Sequence, residues 1–133
     1  MANLKIIVVD DNPMLRIAVK KMLGRLPDFR VVDETDKGTD LLSKLAETSC
    51  DILWMDPRLN DLDEFDLLSK IKKDYPKLKV LIYTANYDNK TIGRLVGMNV
   101  EGILLKDDFF SIIPLAMRTI RDGGTYYSER INH

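Results

Sequence analysis

Apolar runs of strand length recur along this chain, and each stops at a polar residue: LKIIVV at Asp10-Asp11, DILWM at Asp56, VLIY at Thr84 and GILL at Lys106. Runs this short, rich in branched side chains and free of strict alternation, suit strands covered on both faces. Helical spacing fills the intervals. Asn12-Pro13 offers a capping side chain followed by proline at a favoured first position, and Leu15, Ala18, Val19, Met22 and Leu26 follow at helical spacing. After a short strand, FRVVDE, Gly38-Thr39-Asp40 opens a second helix carrying Leu41, Leu42 and Leu45. An acidic loop from Asp56 to Asp63 leads into a third helix with Phe65, Leu68, Ile71 and Tyr75 on its apolar stripe, ended with the help of Pro76.

The fourth helix is expected from about Asn89 to Met98. It holds Gly93 and Gly97, each costing about 1 kcal/mol relative to alanine, so it should be the loosest. The fifth runs from about Ser111 to Asp122, with Pro114 tolerated in its first turn, and Gly123-Gly124 stops it. Five strands alternating with five helices predict one α/β domain over residues 1–133. The expected architecture is a flavodoxin-like, doubly wound (βα)5 sandwich whose five-stranded parallel sheet has the order 2-1-3-4-5. All strand C-terminal ends then share one edge, and the switch point falls between the first and third strands. Asp10-Asp11 and Asp56 end those two strands.

Bulk properties narrow the function. A net charge of −1 gives no bulk attraction for nucleic acid. The lone Cys50 supports neither a disulfide framework nor a cysteine metal site, and suits a small apolar role in a reducing compartment. No apolar run approaches membrane-spanning length and no leader pattern opens the chain, so a cytoplasmic protein without a membrane partner is expected.

Three carboxylates at one place repel. At about 5 Å and an effective dielectric near 20, each like pair costs roughly 3 kcal/mol. Such a cluster raises a pKa or binds a cation. Hard oxygen ligands without His or Cys suit Mg²⁺, which often works with phosphate. Lys106 could hold a phosphoryl oxygen, Thr84 could donate to another, and a carboxylate beside the metal can act as nucleophile. Each residue also has a plain alternative: a turn and helix cap at Asp10-Asp11, a loop residue at Asp56, backbone satisfaction at Thr84, a solvated strand end at Lys106. Their joint occurrence at four strand ends favours a site.

The segments IIVVDDNP, DILWMD, VLIYTA and GILLKD resemble the receiver domain of two-component response regulators, over essentially the whole chain. The resemblance implies transfer of a phosphoryl group from the phosphohistidine of a sensor histidine kinase to Asp56. It also implies a Mg²⁺ site in which Asp11 ligates directly and Asp10 acts through water, beside Asp56 and the backbone carbonyl of Arg58. Thr84 and Lys106 would bind the phosphoryl group, and Ala85 supplies the small residue beside its path. Such a domain catalyses its own phosphorylation and dephosphorylation but serves mainly as a signalling switch. The ending IRDGGTYYSERI and Lys106-Asp107 further resemble the NarL/LuxR-type subfamily, implying transcriptional regulation in the parent protein. Contact with DNA would pass through a helix-turn-helix domain, for which the eleven residues after Asp122 leave no room. Homodimerisation through the fourth and fifth helices or the fifth strand is implied in the same way.

Departures from the family pattern are local. Proline four residues and glycine eight residues beyond the nucleophile are replaced by Asn60 and Glu64, while Pro57 follows the aspartate directly. The Arg58 guanidinium could lie over the site and pair with a carboxylate. Ile103 stands where an aromatic usually changes rotamer, so switching would rest on Thr84, the loop holding Tyr87 and the fourth helix. Tyr83 and Tyr87 fit strand-end packing as well as a switching role. Trp54 should share a side of its strand with Asp56 and pack in the core. The terminal His133 suits no catalytic role.

Rival functions fit less well. Neither GxxxxGK[ST] nor GxGxxG is present, IVVDDNP lacks the phosphate loop of a flavodoxin, and Arg58 replaces the second acid of a haloacid-dehalogenase-like phosphatase. The alternative from another class is a degenerate receiver that acts as a phosphorylation-independent protein-interaction module.

Overall fold

Local chemistry sets where the elements begin. The Asn12 side chain accepts from the Leu15 N–H, and Pro13 opens the helix α1 (Pro13–Gly24). Asp63 accepts from the Phe65 and Asp66 N–H groups at the start of α3 (Glu64–Asp74). Asp88 does the same for Thr91 in α4 (Asn89–Gly97). The computed structural model describes residues 3–85 and 88–131. The remaining elements are β1 (Leu4–Val9), β2 (Phe29–Thr35), α2 (Gly38–Glu47), β3 (Ile52–Met55), β4 (Lys79–Thr84), β5 (Gly102–Leu105), α5 (Ile113–Arg121) and β6 (Tyr126–Tyr127).

The sheet is parallel throughout, in the order β2-β1-β3-β4-β5-β6. The expected order of the first five strands stands; the expected number does not. β6 adds to the outer edge of β5, with Tyr126 N–H donating to Glu101 O and Ser128 N–H to Ile103 O. This short pair satisfies backbone groups that an open edge would expose. It also occupies the β5 edge that the homodimer expectation includes, so a contact there would use helix faces instead of strand pairing. Gly123 explains the turn between α5 and β6: it adopts φ 91°, a left-handed conformation that favours glycine.

Two cores flank the sheet. On one side Val19 and Leu23 of α1 and Ala116, Met117 and Ile120 of α5 bury against Ile6, Val8, Trp54 and Leu104. On the other, α2, α3 and α4 bury Leu41, Leu45, Leu67, Leu68, Ile71, Ile92 and Leu95 against Ile7, Val9, Leu53 and Ile103. Trp54 and Tyr83 pack with ring centroids 4.9 Å apart, fully within the first core. The core role expected of Trp54 holds, and Tyr83 takes the packing role of its two. The expected helix faces need adjustment. Leu23 joins the α1 face, Leu26 packs against it partly buried from beyond the end of the helix, and Leu67 joins the α3 stripe while Phe65 and Tyr75 are only partly buried. The fifth helix starts later than expected, because Phe110–Ile112 forms a separate 3₁₀ turn. Cys50 is part-buried; burial pushes its thiol up to about 11, as an inert apolar role requires.

Candidate functional site

The β-ladder continues past the strands and sets the site residues side by side. Asp10 N–H donates to Thr35 O at 3.1 Å, Asp56 N–H to Val9 O at 2.9 Å and Lys106 N–H to Thr84 O at 2.9 Å. The residue ending each strand is thus held by its neighbour's last rung. Asp10, Asp11 and Asp56 each place a carboxylate oxygen within 4.8 Å of the others. Asp10 and Asp56 are buried, at 1% and 5% exposure, and Asp11 is open to solvent. Lys106 reaches across from the end of β5. Its Nζ lies 2.7 Å from Asp56 Oδ2 and 3.1 Å from Asp10 Oδ2, with its own side chain 18% exposed.

One ammonium therefore bridges two of the three clustered carboxylates. Burial pushes the Asp56 carboxyl up, against the hydrogen bonds from Lys106 and the Arg58 N–H. Burial works most strongly against the Lys106 cation, but the hydrogen bonds and charges of Asp56 and Asp10 together outweigh it and raise its pKa. This donor set fits Mg²⁺: the clustered ligands are all hard carboxylate oxygens, and no thiol or imidazole joins them among the described residues.

Thr84 is buried at the end of β4, and Ala85 follows it exposed at a bend. Ile103 is fully buried between Ile82 and Tyr127 of the adjacent strands. The Tyr87 and His133 readings fall outside the described residues. The Arg58 side chain differs from its expectation. Its backbone N–H donates to Asp56 Oδ1 at 3.0 Å, but the side chain is exposed and makes no ion pair among the described residues. Asp56 already has Lys106 as its cation. Arg58 charge instead offsets the burial that pushes the half-buried Glu64 carboxyl up.

Two residues of the neighbourhood escaped the sequence reading. Arg16 Nη1 donates to the Asp10 carbonyl at 2.6 Å while Nε donates to Glu34 Oε1 at 2.8 Å. Glu34, also paired with Lys20, is held below the usual carboxylate range by Lys20 and Arg16. Asp61 caps α2 from another loop, with Oδ1 accepting from Gly38 N–H and Oδ2 from Thr39 N–H, both at 2.9 Å. The sequence signal for Arg16 is its place one turn after the Asn12 cap. For Asp61 it is the lysine at the α2 cap position, Lys37, which offers no acceptor.

Known proteins share this arrangement. Residues 6–112 match the response regulator receiver domain family. The chain is 30% identical over 128 residues to the response regulator protein VraR of Staphylococcus epidermidis, covering 96% of this chain and 61% of VraR. It thus spans about three fifths of the length of the curated relatives it matches. The isolated REC domain of RcsB from Salmonella enterica serovar Typhimurium, solved with the phosphomimetic BeF3-, superposes with a TM-score of 0.91 at 25% identity, covering 96% of this chain and 94% of that one. The two-component response regulator RcsB in complex with DNA also gives 0.91 at 25% identity, over 96% of this chain and 64% of that one. The parallel sheet, the acidic strand ends and these matches establish that the chain belongs to the response regulator receiver domain family, related to LuxR-type transcription regulators.

Proposed function

We propose that this receiver domain accepts a phosphoryl group on Asp56 from the phosphohistidine of a sensor histidine kinase, and that the modification switches a transcriptional output. The observation that carries this reading is the buried Asp56 carboxylate, 2.7 Å from the Lys106 ammonium within the Asp10–Asp11–Asp56 cluster. Asp56 engages each oxygen once, Oδ2 with Lys106 and Oδ1 with the Arg58 N–H. A carboxylate has about four lone-pair sites, so attack remains open to it. The attacking oxygen forms the P–O bond as the donor's P–N bond breaks, and the electron pair leaves on the imidazole, which takes up a proton.

Asp11, Asp56 and the Arg58 carbonyl would hold Mg²⁺, with Asp10 acting through water. When bound, Mg²⁺ supplies charge neutralisation between the carboxylates and the incoming phosphoryl oxygens. Lys106 then transfers its contact from Asp56 to a phosphoryl oxygen, Thr84 donates its hydroxyl to another, and Ala85 leaves room for both. Thr84 and the loop holding Tyr87 would carry the change toward α4, since Ile103 cannot swing as an aromatic would, and a second copy could dock through α4 and α5. The RcsB–DNA complex among the structural neighbours supports a DNA-binding domain as the output of the parent protein. Among the described residues no helix is long and apolar enough to cross a membrane, in keeping with a cytoplasmic partner of the kinase.

The test is incubation with acetyl phosphate, or with a phosphorylated kinase, in the presence of Mg²⁺. The expected product carries a hydroxylamine-labile phosphate on Asp56 that Asp56→Asn does not acquire. Wild-type protein that stays unlabelled and indistinguishable from Asp56→Asn would overturn the proposal in favour of the phosphorylation-independent interaction module.

A further inference from the structure

The loop between β3 and α3 follows the nucleophile and carries Asn60, and α3 opens on Glu64; neither residue restricts or bends the backbone as proline or glycine would. It is nevertheless fastened. Asp61 Oδ1 accepts from Gly38 N–H at 2.9 Å, and Oδ2 accepts from Thr39 N–H at 2.9 Å and from the Thr39 hydroxyl at 2.8 Å. The Thr39 and Gly38 N–H groups hold the Asp61 carboxyl down to about 2. Gly38 permits this close approach. A Cβ there would lie 2.9 Å from Leu62 Cδ1, 3.0 Å from Leu67 Cδ2 and 3.3 Å from Asp61 Oδ1. Nearer the nucleophile, Arg58 N–H binds Asp56 Oδ1 and the Leu59 side chain is buried.

We propose that Asp61 is a positioning residue for the Asp56 site: by tying the loop to the N-terminus of α2, it fixes the Arg58 backbone that holds the nucleophile. The claim rests on the function proposed above, because it is the Arg58 carbonyl that would complete the metal set. Asp61 itself touches neither phosphate nor metal. Its effect passes through a loop whose two fastenings lie on opposite sides of Asn60.

Asp61→Ala tests this beside Asp61→Asn, which keeps one acceptor oxygen, and Ile120→Val, which removes a buried methyl from α5 across the sheet and lowers thermal stability without touching the loop. Hydrogen exchange of the Arg58 amide is followed without metal, and affinity for Mg²⁺ alone is measured by calorimetry. Asp61→Ala is expected to speed Arg58 exchange about fivefold, as loss of a helix-capping acceptor would. It is expected to weaken Mg²⁺ binding about tenfold, the usual effect of removing a residue that orients a metal ligand. Asp61→Asn should fall between, and Ile120→Val should leave both readouts at wild-type values. The proposal is overturned if Asp61→Ala behaves like Ile120→Val, or if exchange rises while Mg²⁺ affinity stays at the wild-type value. A wild-type chain that binds no Mg²⁺ overturns the metal reading instead, and Arg58 exchange, which needs no metal, then decides whether Asp61 anchors the loop.

Discussion

Asp56 and Asp61 share one loop, yet their carboxylates meet opposite conditions. Asp61 is exposed, with three donors at a helix N-terminus, and its carboxyl falls to about 2. Asp56 is buried with one ammonium and one N–H, and burial pushes its carboxyl up. The acid that stabilises the fold is saturated by donors. The acid placed for chemistry has fewer donors than its burial calls for, and shares its one cation with Asp10. That shortfall is what a metal ion and a phosphoryl group can exploit.

Lys106→Met should break the comparison most severely. Removing one partner of a buried ion pair costs 3–5 kcal/mol, and the partly exposed Lys106 side chain reduces this to about 2 kcal/mol in metal-free buffer at neutral pH. The sign with pH is opposite to that of ordinary acid denaturation. The raised Asp56 carboxyl favours folding in its protonated form, a contribution lost as pH rises through the folded value. Without Lys106 that value rises further, so the deficit should shrink on acidification and on adding Mg²⁺. Urea unfolding across pH with and without the metal checks both.

Two glycines, one against Asp61 and one in α4, extend the contrast between tight and open packing. Gly38→Ala forces a Cβ against Leu62 and the buried Leu67 and should cost about 1 kcal/mol. Gly93→Ala in α4 meets nothing within 4 Å and should gain about 0.7 kcal/mol from helix propensity. Paired thermal unfolding curves separate the close-packed start of α2 from the open flank of α4. The smallest effect is that of Asp61 with pH. Its depressed carboxyl contributes stability above the unfolded value of 3.8, lost as pH falls toward about 2. Wild type should therefore lose more stability than Asp61→Asn between neutral pH and the acid end of that window, by a few tenths of a kcal/mol once solvent screening is allowed for.

The strand ends were legible because a buried parallel strand must be apolar along its length and becomes polar where the ladder meets solvent. That rule alone brought Asp10, Asp11, Asp56 and Lys106 to one edge. The pairing of Tyr126 and Tyr127 with β5 was not legible, since two residues carry no periodicity. Leu26 kept helical spacing past the point where Gly24 and Arg25 end α1, so it packs only partly buried, while Leu23 inside the helix is fully buried. The bonds from Asp61 to Gly38 and Thr39, and from Arg16 to the Asp10 carbonyl, depend on elements that meet only in the folded chain. Arg58 failed for an electrostatic reason: Lys106 already stands where its guanidinium was expected.

The most direct test of the under-provided acidic cluster is calorimetric titration of Mg²⁺ into wild-type protein and Asp56→Asn. Saturation by one ion per chain in the millimolar range or tighter, weakened about tenfold or more in Asp56→Asn, is the predicted result. No binding by wild type, or equal affinity in the two proteins, would contradict it.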